Sequence, residues 1–183
     1  MQQQTAYGED DYCHEAKACI HKHMAGLTPD IHFIASGTLT NLIVIASCLR
    51  PHEAVIAPAS GHITLRETGA IEATGHKIIA MPGENGKLRP EDVEQALAEN
   101  AHFPHMAKPR MVYISNASEL GTLYNKAELQ ALSALCRDKD LILFIDGARL
   151  GAALSADKND LTLRDVAEPV SYTHLTLPTI LLV

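Results

Sequence analysis

Short apolar runs alternate with longer amphipathic segments along most of this chain, and no other feature restricts its fold as strongly. The runs are 31–35, 54–57, 76–81, 111–115 and 141–145, and each reads as a short strand buried on both faces. Between them lie helical patterns. Tyr12, Ala16, Ile20 and Met24 recur every four residues before Gly26, and the stretch from Leu39 to Leu49 is apolar enough for a buried helix ended by Pro51. Ile63 to Ala73 is expected to form another helix. Pro90, followed by Glu91 and Asp92, opens a helix that buries Val93, Ala96 and Leu97. Asn125 and Glu128 form a capping-box pattern for a helix carrying Leu129, Leu132, Leu135 and Cys136 on one face. Asn85-Gly86 marks a tight turn. Strands and helices in this order predict an α/β domain with a mostly parallel sheet flanked by helices. Chemistry then gathers at the carboxyl ends of the strands, which directs attention to Ser36-Gly37-Thr38, His62, Asn116 and Asp146-Gly147-Ala148-Arg149.

Composition narrows the function. At roughly 150 residues per domain, a chain of 183 residues holds one core at most. Hydrophobic residues make up 46% and charged residues 20%, which excludes disorder as a whole-chain description. The formal charge of −7 offers no basic field for a polyphosphate backbone, so nucleic acid is not an expected partner. Cys13, Cys19, Cys48 and Cys136 lack paired spacing and no basic-then-apolar start precedes them, so a reducing, cytoplasmic location is expected. The longest apolar stretch in the body, Leu42 to Leu49, is interrupted by Ser47 and falls short of the roughly 20 residues a membrane span needs.

The end of the chain differs from the rest. Residues 170–183 carry no charge and fit neither helical nor strand periodicity. Val170 to Thr179 resembles the translation of a transposon-end sequencing adapter. Residues 1–169 are therefore read as the domain, and 170–183 as a non-native tail set aside from functional reasoning.

Several residues could carry chemistry, each with a plainer alternative. Asp146 follows an apolar strand, where an acid is costly unless it meets a cation. A protonated pyridine nitrogen would serve, with Arg149 binding a phenolate or carboxylate oxygen, but an Asp146–Arg149 ion pair capping the strand fits equally well. Ser36, Gly37 and Thr38 offer hydroxyls and N–H groups at a helix start, suited to a phosphate or to an ordinary N-cap. His62 could stack on an aromatic cofactor or simply sit in a loop. Glu67 reads as a solvated helix residue. Cys13, His14, Cys19, His21 and His23 raise the question of zinc, but helical spacing spreads them over different faces. Dinucleotide, P-loop, zinc-protease and serine-hydrolase motifs do not occur.

Taken in order, these segments resemble the aromatic amino acid β-eliminating lyase/threonine aldolase family. The matching stretches are Tyr7-Gly8-Glu9-Asp10, Ser36-Gly37-Thr38 with Asn41, Gly61-His62 with Glu67-Thr68-Gly69, Ile114-Ser115-Asn116, and Asp146-Gly147-Ala148-Arg149-Leu150-Gly151. The likeness runs from Tyr7 to about Glu168. It implies the aspartate aminotransferase fold (fold type I), with residues 1–169 as an incomplete large domain, and pyridoxal 5'-phosphate as cofactor. Ser36, Gly37 and Thr38 would hold the phosphate, His62 would stack on the pyridine ring, Asp146 would keep the ring nitrogen protonated and Arg149 would touch the phenolic oxygen. The implied reaction cleaves a β-hydroxy amino acid to glycine and an aldehyde. The implied assembly is a homodimer or homotetramer.

Two departures stand out. Where low-specificity threonine aldolases carry an Asn-Thr-His segment, this chain has Asn116-Ala117-Ser118. The family's Schiff-base lysine is missing as well: no lysine follows Lys158, which reads as a solvated charge. The chain is thus expected to be a fragment without its catalytic lysine, inactive, and with strand edges left uncovered. Two other readings remain: a different β-eliminating or C–S lyase on the same scaffold, and a non-catalytic metal-holding module built on the early Cys/His cluster.

Overall fold

The computed structural model describes residues 3–175 and 179–182. The elements in chain order are α1 (Asp11–Lys22), β1 (Ile31–Ile34), α2 (Gly37–Cys48), β2 (Glu53–Pro58), α3 (His62–Leu65), β3 (Lys77–Met81), α4 (Pro90–Glu99), β4 (Lys108–Ser115), α5 (Lys126–Asp138), β5 (Ile142–Gly147), α6 (Leu150–Leu154), α7 (Leu163–Ala167), β6 (Tyr172–Leu175) and β7 (Thr179–Leu182). Among the described residues they build one sheet in the order β1-β7-β6-β5-β4-β2-β3. The neighbours from β6 through β3 run parallel, and β7 is antiparallel to both β6 and β1.

The central strands are apolar on both faces because both faces are covered. Along β2, β4 and β5 successive side chains point to opposite sides. Ala54, Ile56, Val112, Ile114, Leu143 and Ile145 join the core under α4 and α5. Val55, Ala57, Met111, Tyr113 and Phe144 join a second core with Val44 and Ile45 of α2 and Ile63 of α3. This alternation decides where the chemistry goes. Asp146 shares the parity of Phe144, and the register pairs Tyr113 with Phe144 and Ser115 with Asp146, so these groups stand on the α2 side of the sheet.

Local signals act where the sequence places them. Asn125 and Glu128 form both halves of a capping box at the start of α5. Pro90 opens α4, and Asn85 and Gly86 turn with positive φ. The expected helix from Ile63 to Ala73 is not continuous. It is one turn, α3, followed by a short 3-10 segment at Glu72–Thr74. Thr68 and Gly69 at φ 55° and 79° break it, because a left-handed residue cannot continue a right-handed helix. The stripe expected on α1 packs only at its C-terminal end: Tyr12 is 66% exposed, whereas Ile20 packs against Met24, which lies beyond the helix and is buried beside Ile31.

Strands β6 and β7 lie within the segment that fitted neither periodicity. Their backbones pair with β5 and β1, so β5 has a neighbour on each side and, among the described residues, β1 and β3 are the end strands of the sheet. Backbone pairing asks only for extended chain and available N–H and C=O groups, and not for side-chain alternation.

Candidate active site

β2 leads outward to β3, whereas β4, on the other side of β2, leads on to β5. Such a reversal opens a crevice at the carboxyl ends of the strands. His62 follows β2, Asp146 ends β5, and the N-terminus of α2 carries Ser36, Gly37 and Thr38.

Asp146 is only 3% exposed. Its Oδ1 accepts the Ala148 amide at 2.9 Å, and its Oδ2 accepts the Tyr113 hydroxyl at 2.5 Å and the Asn41 Nδ2 amide at 3.5 Å. These donors favour the charged carboxylate in a place where burial alone opposes it. Tyr113 is buried completely, and burial first, then the charge of Asp146, hold its phenol well above the usual tyrosine range. It is a proton donor to Asp146 over the whole physiological range.

Asn41 extends the network. It lies four residues after Gly37, one turn along the same face of α2. Its Nδ2 also donates to Glu67 Oε1 at 2.6 Å, and that oxygen sits 2.9 Å from His62 Nδ1. Four segments distant in sequence thus join in one hydrogen-bonded chain from His62 through Glu67 and Asn41 to Asp146 and Tyr113. Glu67 is not the solvated residue its sequence context suggested. The break at Thr68-Gly69 turns the chain so that Glu67 is 4% exposed and faces α2. Among the described residues, Asn41 Oδ1 and Glu67 Oε2 are buried without a hydrogen-bond partner.

Ser36 caps α2, its Oγ accepting from Leu39 N at 3.2 Å, so Gly37 and Thr38 occupy the first helical turn, whose N–H groups lack intrahelical acceptors. Arg149 is engaged elsewhere than Asp146. Its Nε donates to Ala117 O at 3.1 Å and its Nη2 to Glu119 Oε1 at 2.6 Å, the same oxygen that accepts from Ser115 Oγ at 2.9 Å. Ser118 Oγ accepts from the Leu120 and Thr122 amides and lies 2.6 Å from Thr122 Oγ1, so it staples its own loop. Asn116 does similar work, its Oδ1 accepting from Tyr124 N. Lys158 is exposed, and no group of three or more His, Cys, Asp or Glu side chains suited to a metal ion occurs among the described residues.

The β-eliminating lyase family profile matches residues 1–173. The low-specificity L-threonine aldolase of a Pseudomonas species is 32% identical over 155 residues, which cover 82% of this chain and 43% of that protein. The solved threonine aldolase of Leishmania major is 46% identical, covers all of this chain and 55% of its own, and superimposes with a TM-score of 0.96. An archaeal alanine:glyoxylate aminotransferase, 19% identical, shares the fold at a TM-score of 0.73 over 93% of this chain and 44% of its own. Architecture and neighbours together define the class: an α/β fold of the pyridoxal-phosphate fold type I enzymes. Within that class the chain belongs to the β-eliminating lyase family. It spans about half the length of the relatives it matches.

Proposed function

We propose that this chain carries the cofactor-binding half of a pyridoxal-phosphate-dependent aldehyde-lyase that cleaves a β-hydroxy amino acid to glycine and an aldehyde. The observation that carries the reading is the shared network of Asp146 and His62 at the sheet's carboxyl edge, beside the start of α2. The residues present fit the cofactor. Two buried oxygens, Asn41 Oδ1 and Glu67 Oε2, await a donor beside a buried carboxylate. A helix start suits a phosphate, and a half-buried imidazole suits an aromatic ring.

Bound there, pyridoxal phosphate would supply an electron sink for a bond broken at the substrate α-carbon. The chain's own residues do the positioning. Asp146, held by Tyr113 and Ala148, keeps a proton on the pyridine nitrogen. Gly37 and Thr38 present N–H groups to the phosphate, with Ser36 fixing the turn. His62 covers the ring. Arg149, locked by Glu119, holds the phenolic oxygen. The lysine that would link the cofactor is sought in the rest of the whole protein, which we read as a homodimer or homotetramer. Exposed Leu39, Ile43 and Leu65 support that assembly, and four free cysteines support a reducing, cytoplasmic setting.

The test is to incubate the intact, cofactor-loaded protein with threonine and allo-threonine and to measure glycine and acetaldehyde. Release of both supports the reading. Ammonia with a keto acid from a β-substituted amino acid, without glycine from either threonine, would move the enzyme to the β-eliminating branch. That branch is favoured by one observation: Ser118 stands where a histidine would serve an aldolase, and its hydroxyl is occupied within its own loop.

A further inference from the structure

The buried glutamate behind His62 has no assigned role, and its contacts restrict what it can do. Glu67 Oε1 lies 2.9 Å from His62 Nδ1 and 2.6 Å from Asn41 Nδ2. The Asn41 amide nitrogen can only donate. It therefore needs an acceptor at Oε1, and an accepting oxygen at that point requires His62 to carry its hydrogen on Nδ1 as well. The same Asn41 nitrogen reaches Asp146 Oδ2 at 3.5 Å. One side chain thus touches the ring-stacking histidine directly and the strand-tip carboxylate through a single amide.

We propose that Glu67 is a positioning residue that fixes His62 in the Nδ1–H tautomer, leaving Nε2 as the lone-pair nitrogen, and ties that orientation to Asp146 through Asn41. The role deepens the proposed function and rests on it for its purpose, but not for its geometry. A glutamate that only filled space or capped the broken helix would influence stability without selecting a ring nitrogen.

The test is nitrogen-15 NMR of the His62 ring in the intact protein at a pH where the ring is neutral, with and without cofactor. Wild type is expected to show a protonated Nδ1 and an unprotonated Nε2. Glu67→Gln keeps an acceptor oxygen, pinned by Asn41, and is expected to retain that pattern. Glu67→Ala is expected to lose it, giving the reverse tautomer or an averaged pair of signals. A wild-type ring protonated on Nε2 overturns the proposal even if Glu67→Ala fails to fold, and so does an unchanged tautomer in folded Glu67→Ala. Failure of the protein to bind pyridoxal phosphate at all would instead count against the proposed function and leave the tautomer result standing on its own.

Discussion

Replacing Tyr113 by Phe removes one hydroxyl from a fully buried ring and leaves its packing in place. The ring meets Phe144 edge-on, with centroids 5.5 Å apart at 75°, and phenylalanine keeps that contact. What disappears is the bond to Asp146 Oδ2, while the Ala148 amide remains on Oδ1. Hydrogen bonds to charged groups contribute about 1.5–3 kcal/mol. A loss near 2 kcal/mol corresponds to roughly 4–8 °C in Tm for a chain of this size. Alkali provides a sharper signature. Because burial and the Asp146 charge raise the Tyr113 phenol, the folded state keeps its proton after the unfolded chain has released it. Stability is therefore whole below about pH 10 and falls as the pH climbs beyond it, by about 1.4 kcal/mol at pH 11 for one such group.

Tyr124, also raised by burial, adds a similar loss. Cys136, pushed by burial up to about 12, begins to contribute near pH 9. Urea denaturation of wild type and Tyr113→Phe at pH 7 and pH 11 separates these effects. The variant is expected to be weaker at pH 7 yet to lose about 1.4 kcal/mol less than wild type between the two. Equal alkaline losses in the two proteins would mean that the fold does not hold the Tyr113 phenol above its ordinary range.

Three further outcomes are expected. Leu132→Ala empties a fully buried position under α5 and should cost about 2–5 kcal/mol in urea denaturation. Asn125→Ala removes the acceptor for the Glu128 amide at the start of α5 and should cost about 0.5–2 kcal/mol, read the same way. Gly83→Ala would set a Cβ 2.5 Å from the Lys87 carbonyl oxygen at a φ of 63°, so thermal melting should show a loss above about 1 kcal/mol.

Much of the scaffold was legible because its signals are local. The capping box at Asn125, the proline opening α4 and the apolar strands each act within a few residues, and the structure places them where the sequence does. Asp146 and His62 could be singled out because strand ends are where such sheets collect chemistry. The burial of Glu67 and the place of Tyr113 beside Asp146 could not. Glu67 is buried by Asn41, 26 residues away, after a helix break at a threonine with positive φ that propensity does not foresee. Tyr113 sits in a strand buried on both faces, where apolar content cannot tell which side chain will stand beside a carboxylate on the next strand. The partner of Arg149 was equally hidden, since Glu119 approaches it from another loop.

The most direct test of the account loads the intact protein with pyridoxal phosphate carrying nitrogen-15 in the ring and reads that nitrogen's chemical shift in wild type and in Asp146→Asn. A carboxylate held at the tip of β5 for this purpose predicts a protonated ring nitrogen in wild type at neutral and mildly alkaline pH, and an unprotonated one in the variant. An unprotonated nitrogen in wild type, or the same protonated signal in both proteins, would contradict it.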